Sequence, residues 1–454
     1  MPSARAVASP PVSGQPQLPL PQIRRRLFAL GWPAMLENLM QSALFMINTA
    51  LAGRLGAEAL AAAGISNFLM FFTFSLFFGM SIGCLALVAR SFGARDLTTA
   101  HTAGRQGMLT AVLASFISVF VLVFLADPIL RLVGGSEDIV AMAAPYLALS
   151  AVSAPFQTVV VMVGAVQRGV GDTRTPMLGS VLMAGVDLVV GLVLVTAGFG
   201  LLGIAVAMGV ARLATAAFML ATIYRSSHRA GCFGSYRPDW DMQRRLLRVA
   251  GPAVGEMVIT IGGIMAFSII GLQLGTVSFA AQNVVGPIMS LAYMPSLGLG
   301  VAASTAVGQS LGARDPQLAH RYGREAAIAG TIVSTLVGVV VFLLPRPLML
   351  VFTTDPAVLD AGELPVRTIG LFMPVVGLAT IMPSALRGAG DTRAMLLISL
   401  LALWTIRVPL ALVLGVVLGF GLTGLWIGAG VNYVTIAVAS LVRFASGRWQ
   451  TIRL

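Results

Sequence analysis

Long apolar stretches alternate with short polar ones over most of the chain. Twelve of them are about 20 residues long, the length at which an α-helix crosses the hydrocarbon core of a bilayer. The pattern therefore predicts an all-α polytopic membrane protein with twelve transmembrane helices. The predicted spans are roughly 27–52, 60–88, 103–126, 139–161, 177–197, 202–224, 249–271, 280–306, 326–344, 366–384, 395–415 and 422–442.

The second half of the chain repeats the first. The segment "RGVGDTRTPM" begins at Arg168, and "RGAGDTRAML" begins 219 positions later, at Arg387. The same offset separates "SFGARD" from "SLGARD", and Glu37 from Glu256, each of which lies four residues after a proline. Towards the end of each half, "GFGLLG" returns as "GFGLTG" with an offset of 221. The chain thus contains two copies of one unit.

Each copy holds six predicted helices, an even number, so both copies enter and leave the membrane on the same side as parallel repeats. We predict two six-helix lobes around a central cavity. The predicted organisation is a disordered tail at 1–22, an N-lobe at 23–224, a linker at 225–248, a C-lobe at 249–442 and a second tail at 443–454. Such a plan suits alternating-access transport better than a channel, which is more often a ring of separate subunits.

The composition narrows the function. Apolar residues make up 57% of the chain and charged residues 10%, against about 25% charged residues in a soluble domain. All 29 basic residues are arginine, so the lysine-dependent phosphate loop of ATPases is absent and we expect no use of ATP. The few cysteines and histidines have no metal-ligand spacing. We expect no metal, no cofactor and no enzyme activity.

The arginines also predict an orientation. They concentrate in the loops on one side, including Arg168 and Arg387, whereas the loops on the other side carry acids. By the positive-inside rule both termini are cytoplasmic, and we expect a monomeric, multi-pass protein of the inner (plasma) membrane. The net charge of +12 is then a topology signal that also attracts anionic lipid. A nucleic-acid site is disfavoured because no single surface collects the charge.

Charged residues within the spans are candidate functional groups, because charge is costly inside a bilayer. Five stand out: Glu37, Asp187, Arg212, Glu256 and Arg407.

Span 1 has a polar face formed by Glu37, Gln41 and Asn48, whose spacing places them on one side of a helix. Lipid cannot satisfy polar groups, so this face should line the cavity, where Glu37 could exchange protons. Glu256 is its counterpart in the C-lobe. For both glutamates, the alternative is a structural hydrogen bond to a neighbouring helix.

Asp187 and Arg212 lie at nearly equal distances from the "GFG" turn, so they could form a buried ion pair across the hairpin. Such a pair would be mainly structural; the alternative for Asp187 is a pairing that changes as the lobe moves. Arg407 has no charged residue level with it in its own hairpin. We predict that it pairs with Glu256 or contacts an anionic group. The arginines and aspartates of the "GARD" and "GDTR" repeats are predicted to cap helices and hold the hinge geometry.

The motifs resemble those of the MATE (multidrug and toxic compound extrusion) family from about Leu27 onwards. The similar features are "LAGRLGAEALAAAG" after span 1, "GARD" after spans 2 and 8, and the "RGVGDTR" and "RGAGDTR" segments after spans 4 and 10. The resemblance implies export of organic, often cationic, compounds in exchange for H⁺ or Na⁺. Protonation of a coupling acid would release a cation outwards, and deprotonation towards the cytoplasm would restore affinity.

The chain departs from the family pattern at the coupling positions. Many members carry an aspartate in span 1 where this chain has Asn48, and an asparagine and aspartate in span 5 where it has Asp187 and Gly191. We expect Asp187 to replace the missing carboxylates. Some family branches share the proline-to-glutamate spacing of Glu37 and Glu256, which makes these two further candidates for coupling.

We expect coupling to H⁺ rather than Na⁺, because no set of several oxygen ligands can be assembled at one depth. The alternative function is a flippase for lipid-linked oligosaccharide, from the same broad superfamily. It predicts an arginine-rich cavity for the diphosphate. Only Arg212 and Arg407 are arginines well inside the spans, against three acids, so export of small organic cations is preferred.

Overall fold

The computed structural model describes residues 18–132, 136–225 and 236–452, and the regular elements in these ranges are helices. The first half contains α1 (Leu20–Arg54), α2 (Ala57–Gly93), α3 (Leu97–Phe124), α4 (Ala126–Leu132), α5 (Glu137–Val152), α6 (Ala154–Val170), α7 (Arg174–Thr196) and α8 (Gly200–Arg225). The second half contains α9 (Trp240–Gln273), α10 (Thr276–Gly312), α11 (Pro316–Leu343), α12 (Pro345–Leu350), α13 (Pro356–Gly388), α14 (Thr392–Leu401), α15 (Val408–Leu412) and α16 (Gly421–Ala445). Two π-helical turns, Ala402–Arg407 and Val413–Val417, interrupt the span that includes α14 and α15, and a 3₁₀ turn follows at Arg448–Thr451.

Ten helices of the described residues are long and apolar enough to cross a membrane. The pair α5 and α6, bent by 45° where they meet, is together long and apolar enough to count as an eleventh. Helix α1 is also long enough, at 35 residues, and its polar residues make it less apolar than the others. Each of the twelve predicted spans therefore has a helical counterpart, and α4 and α12 are short connecting helices.

The "GARD" repeats end α2 and α10 and begin the next helices. Arg95 and Arg314 have left-handed backbones, with φ of 62° and 59°, which turns the chain sharply. The following aspartates then cap the next helices: the Asp96 carboxylate accepts from the Thr99 amide, and that of Asp315 accepts from the Leu318 amide. The predicted capping role of this motif is confirmed.

The "GDTR" repeats differ from each other. Asp172 accepts hydrogen bonds from the amides of Arg174 and Thr175, as predicted for a cap. Its counterpart Asp391 instead accepts from Nε of Arg443 at 2.7 Å. The predicted cap is wrong for Asp391, because an arginine at the end of α16 reaches this carboxylate.

The lobes are joined at the end of the bundle where α1 and α9 begin, which we call the arginine-rich end. Ile23 and Leu27 of α1 pack into an apolar cluster of the C-lobe. Met242 and Leu246 of α9, which lie 219 positions further along, pack into a cluster of the N-lobe. The first helix of each lobe therefore begins in the core of the other lobe.

At the opposite end, which we call the acidic end, the apolar clusters belong to one lobe each. One contains N-lobe residues such as Leu51 and Leu130, and the other contains C-lobe residues such as Val285 and Met349. The lobes thus share cores at the arginine-rich end and have separate cores at the acidic end. This arrangement closes the space between the lobes at the arginine-rich end.

Two glycines allow α2 and α10 to cross in backbone contact at the arginine-rich end. A Cβ atom added to Gly93 would lie 2.0 Å from the carbonyl oxygen of Gln309, and one added to Gly312 would lie 1.9 Å from that of Arg90. Gly93 and Gly312 are repeat counterparts. Because neither position has room for a side chain, the closed end depends on both glycines.

The arginines of the connecting helices at the acidic end are held by carboxylates. Arg131 of α4 pairs with Asp127 and Glu137, and its hydrogen bonds to Glu137 are the main cause of its raised pKa. Arg346 of α12 pairs with Glu363, and the hydrogen bond to Glu363 is the main cause of the raised pKa of Arg346. The positive charge of the two connecting helices is therefore neutralised locally.

The π-helical turns explain why the repeat offset changes. It is 219 at Arg174 and Arg393 and 221 at Gly198 and Gly419. Between these points the N-lobe has the regular α7, whereas the C-lobe has two π-helical turns. A π-bulge accommodates an extra residue in a helix, so two turns account for two residues. Arg407 lies in the first of them.

Three helices extend beyond the predicted domain boundaries. Helix α1 begins at Leu20, within the predicted tail 1–22; α9 begins at Trp240, within the predicted linker; and α16 continues to Ala445. The first turns of α1 and α9 carry many polar residues, so hydropathy misses them, but they pack against the opposite lobe. Residues 1–17 of the first tail, 226–235 of the linker and 453–454 of the second tail lie outside the described residues.

Candidate functional site

Each intramembrane glutamate is paired with an arginine of its own lobe. Nη1 of Arg168 donates to Glu37 at 2.7 Å. Nη2 and Nε of Arg387 donate to the two oxygens of Glu256 at 2.5 and 3.1 Å, and the Ser399 hydroxyl donates to Glu256 at 2.8 Å. The side chain of Glu37 is 11% exposed and that of Glu256 is 3% exposed. This pairing favours the structural interpretation of both glutamates, because a satisfied ion pair exchanges protons poorly.

The role of the two arginines was missed in the sequence. Arg168 and Arg387 are predicted to be loop residues, but they lie in the last turns of α6 and α13. There was a signal that could have found them. The offset of 219 that relates Arg168 to Arg387 also relates Glu37 to Glu256, so glutamate and arginine are repeated together as a pair.

Asn48 and Asp187 meet in the core of the N-lobe. Nδ2 of Asn48 on α1 donates to Oδ2 of Asp187 on α7 at 2.8 Å, and both residues are buried. Oδ1 of each side chain is also buried and has no hydrogen-bond partner. The site therefore presents two unsatisfied oxygens, one of them on a carboxylate, that could accept a proton or a cationic group.

The predicted ion pair between Asp187 and Arg212 is wrong. Nη1 of Arg212 instead donates to the Ser153 hydroxyl at 2.6 Å and to the Ser150 carbonyl at 3.4 Å. Its guanidinium also lies 4.9 Å from the ring centroid of Phe74. Arg212 acts on Asp187 by charge attraction without direct contact. The equal distances from the turn predict that Asp187 and Arg212 lie near each other, but the guanidinium contacts the Ser153 hydroxyl and the Phe74 ring instead.

The predicted pairing of Arg407 with Glu256 is also wrong, because Arg387 and Ser399 already occupy that carboxylate. The guanidinium of Arg407 lies 4.3 Å from the ring centroid of Phe267. Its Nε is buried and has no hydrogen-bond partner.

The predicted polar face of α1 is divided in the structure. Glu37 is buried against Arg168 of α6, and Asn48 is buried against Asp187 of α7. Gln41, which lies between them along the helix, is exposed.

Several hydrogen bonds join the lobes at the arginine-rich end, among them Arg26 to Gln309 and Gln309 to the Gly169 carbonyl, and two of the contacts are repeat counterparts. In the charged clasp, Nε of Arg24 donates to Glu325 at 2.8 Å. In the amide clasp, Nε2 of Gln243 donates to Oε1 of Gln106 at 2.8 Å, and the Thr110 hydroxyl donates to Gln243. Gln243 lies 219 positions after Arg24, and Glu325 lies 219 positions after Gln106. One contact has thus become charged in one copy and neutral in the other.

Comparison with known proteins now shows the family. The family model MatE matches the chain twice, at residues 33–194 and 252–413. The chain belongs to the MatE family. The two matches begin 219 positions apart, so the unit of the MatE family coincides with the repeat described above. The resemblance found in the sequence motifs is confirmed.

Relatives and solved structures cover nearly the whole chain. The chain is 29% identical to the probable multidrug resistance protein NorM of Thermotoga maritima, over 96% of this chain and 95% of that protein. It is 30% identical to the probable multidrug resistance protein NorM of Bradyrhizobium diazoefficiens, over 96% of each chain. A mutant of the Vibrio cholerae MATE transporter VcmN has a TM-score of 0.89 at 21% identity, covering 94% of this chain and 97% of that one. The predicted two-lobe MATE fold is confirmed.

Proposed function

We propose that the protein is a secondary active exporter of organic, often cationic, compounds that works by alternating access and is driven by H⁺. The observation that carries the proposal is the buried Asn48–Asp187 pair, in which one oxygen of each side chain has no partner. The names of its NorM relatives support organic, multidrug substrates. The proposed activity is transport and not catalysis, and it needs neither ATP nor a cofactor.

The proposed orientation places the arginine-rich end and both termini in the cytoplasm of a cell with an inner (plasma) membrane. The lobes share their apolar clusters at that end, so the described conformation would be closed to the cytoplasm. In the proposed cycle, Asp187 binds a proton from outside and thereby releases a cationic compound. Opening at the cytoplasmic end then lets Asp187 lose its proton and bind the next compound.

The pair favours H⁺ over Na⁺ as the coupling ion. A carboxylate oxygen without a partner is sufficient to hold one proton. Hard metal cations collect about six or more oxygen ligands, whereas Asn48 and Asp187 offer two unpartnered oxygens. Proton coupling therefore needs no rearrangement of neighbouring side chains.

The test is uptake of a fluorescent organic cation into everted membrane vesicles that are energised by a proton gradient in the absence of sodium. We expect uptake by the wild type that disappears with a protonophore and with Asp187→Asn. Asp138→Asn is the matched control, because Asp138 is an exposed acid at the acidic end. It should leave uptake unchanged.

Three outcomes would contradict parts of the proposal. Uptake that requires a sodium gradient would show that the coupling ion is Na⁺ and not H⁺. Proton-driven uptake that survives Asp187→Asn would remove Asp187 from the coupling site. A wild type that transports no organic cation under either gradient would overturn the exporter.

A further inference from the structure

We propose that the C-lobe holds a binding site for an anionic group, the carboxylate of an exported compound, formed by Arg407, Trp426 and Phe267. This inference rests on the proposed export function and extends its substrates to compounds that carry both a cationic group and a carboxylate.

The site occupies the position in the C-lobe that the Asn48–Asp187 site occupies in the N-lobe. The repeat offset is 219 on the first helix of each lobe, becomes 220 by the end of the first π-helical turn, where Arg407 lies, and reaches 221 on the last helix. With these offsets, Asn48 corresponds to Phe267, Asp187 to Arg407, and Arg212 to Tyr433.

The contacts support this correspondence. In the N-lobe, Asn48 contacts Asp187, which Arg212 attracts by charge. In the C-lobe, Phe267 contacts Arg407, and Tyr433 interacts with it. The same two positions thus flank an acid in one lobe and a base in the other.

Two N–H donors of the C-lobe site have no acceptor. Nε of Arg407 and Nε1 of Trp426 are both buried without a hydrogen-bond partner. Both side chains contact the same ring: the Phe267 centroid lies 4.3 Å from the Arg407 guanidinium carbon and 5.6 Å from the Trp426 ring centroid. Among the described residues, no carboxylate lies within 4.0 Å of Arg407 to neutralise it.

The chemistry of these groups selects the ligand. Arginine and tryptophan side chains donate hydrogen bonds and do not accept them, so a ligand that satisfies both must supply acceptor oxygens. The permanent positive charge of arginine repels a cation and binds a planar carboxylate in bidentate fashion. The rings of Phe267 and Trp426 provide apolar surface for the organic body beside that carboxylate.

The test compares two probes that differ only in this group: a rhodamine with a free carboxylate and the ethyl ester of the same rhodamine. Proton-driven uptake of each is measured in proteoliposomes made with wild type, Arg407→Gln, Arg407→Lys and Trp426→Phe. We expect Arg407→Gln to raise KM for the acid about tenfold or more, and Trp426→Phe, which removes only the N–H donor, to raise it less. KM for the ester should not rise in any variant, because the ester has no carboxylate for these donors to bind.

The ester separates the two proposals. If the wild type transports neither probe, the exporter proposal fails and this inference fails with it. If the ester is transported but the acid is not, or if Arg407→Gln leaves KM for the acid unchanged, the carboxylate site is overturned while the exporter remains. Equal losses for acid and ester would make Arg407 a structural residue and would also overturn the site.

A lipid phosphate could present the same oxyanion chemistry. Repeating the measurements in liposomes with and without anionic phospholipid distinguishes this source. We expect KM for the acid to be independent of anionic lipid. A KM that rises with anionic lipid in the wild type, but not in Arg407→Gln, would assign the site to lipid instead.

Discussion

At corresponding points the N-lobe carries Asp187 beside Asn48, whereas the C-lobe carries Arg407 beside Phe267. Closer to the arginine-rich end, the lobes are alike, because each keeps a buried glutamate paired with an arginine. The repeat has therefore been retained where the pair fixes helices against one another. It has diverged where unsatisfied polar atoms remain. We infer a division of labour in which the N-lobe couples to protons and the C-lobe selects substrates.

The largest expected effect comes from moving the carboxylate within the N-lobe site. Asp187→Asn should lower proton-driven uptake of the rhodamine ester about 10- to 100-fold, the range of a typical coupling free energy. Adding Asn48→Asp should restore part of it, because the two side chains are hydrogen-bonded and the acid is only moved across the pair. Initial uptake rates in proteoliposomes measure both effects. A double variant as inactive as the single one would contradict the role assigned to the pair.

The glutamate–arginine pairs give the next largest effect, and it should differ between lobes. Removing one partner of a buried ion pair costs about 3–5 kcal/mol. Arg387→Ala should lower the melting temperature more than Arg168→Ala, since Glu256 is more deeply buried than Glu37 and makes more hydrogen bonds to its arginine. Melting of the purified proteins in detergent provides the measurement.

The control for this prediction removes both charges of a pair. The double variant Arg387→Met with Glu256→Gln should recover much of the lost stability, because no unpaired charge remains in the membrane. Equal melting temperatures for Arg387→Ala and Arg168→Ala would show that burial does not distinguish the two pairs.

An intermediate effect is expected at the crossing of α2 and α10. Gly93→Ala should favour opening of the arginine-rich end by about 1–3 kcal/mol, because its methyl group would meet the Gln309 carbonyl. Gly64→Ala on the same helix is the control, since no atom lies within 4 Å of its added Cβ. Spin labels on cysteines at exposed positions 94 and 313 should move apart in Gly93→Ala only. Unchanged distances would show that the crossing is not tight.

The smallest effect is expected at the clasps. Glu325→Gln makes the charged clasp resemble the amide clasp. It should shift the equilibrium between the closed and open forms, as reported by the same label distances, by less than about 1 kcal/mol, because the Arg24 side chain is 62% exposed. High salt should produce a similar shift in the wild type but not in Glu325→Gln. If salt does not change the label distances in the wild type, the charged clasp does not contribute to closure of the arginine-rich end.

Much of the architecture follows from the sequence because the repeat is visible span by span. The pairing of the glutamates does not follow, because hydropathy ends the helices of Arg168 and Arg387 too early and so assigns both residues to loops. The environment of Arg407 does not follow either. Counting residues from the turn between two helices predicts which residues lie at the same depth only when both helices are regular. A π-helical turn shifts this register, so Tyr433 rather than Asn432 interacts with Arg407. Hydropathy carries no information about such a turn.

Because α1 and α9 each begin in the core of the other lobe, neither lobe can complete its core from its own half of the chain. The N-lobe cluster includes Met242 and Leu246, so a ribosome that has completed α8 has not yet made all of that core. A first half released by itself would lack the side chains of Met242 and Leu246 in its apolar cluster. Chains divided between Arg225 and Tyr236 should therefore be unstable when expressed singly and complement each other when expressed together, as two halves that each carry a missing piece of the other.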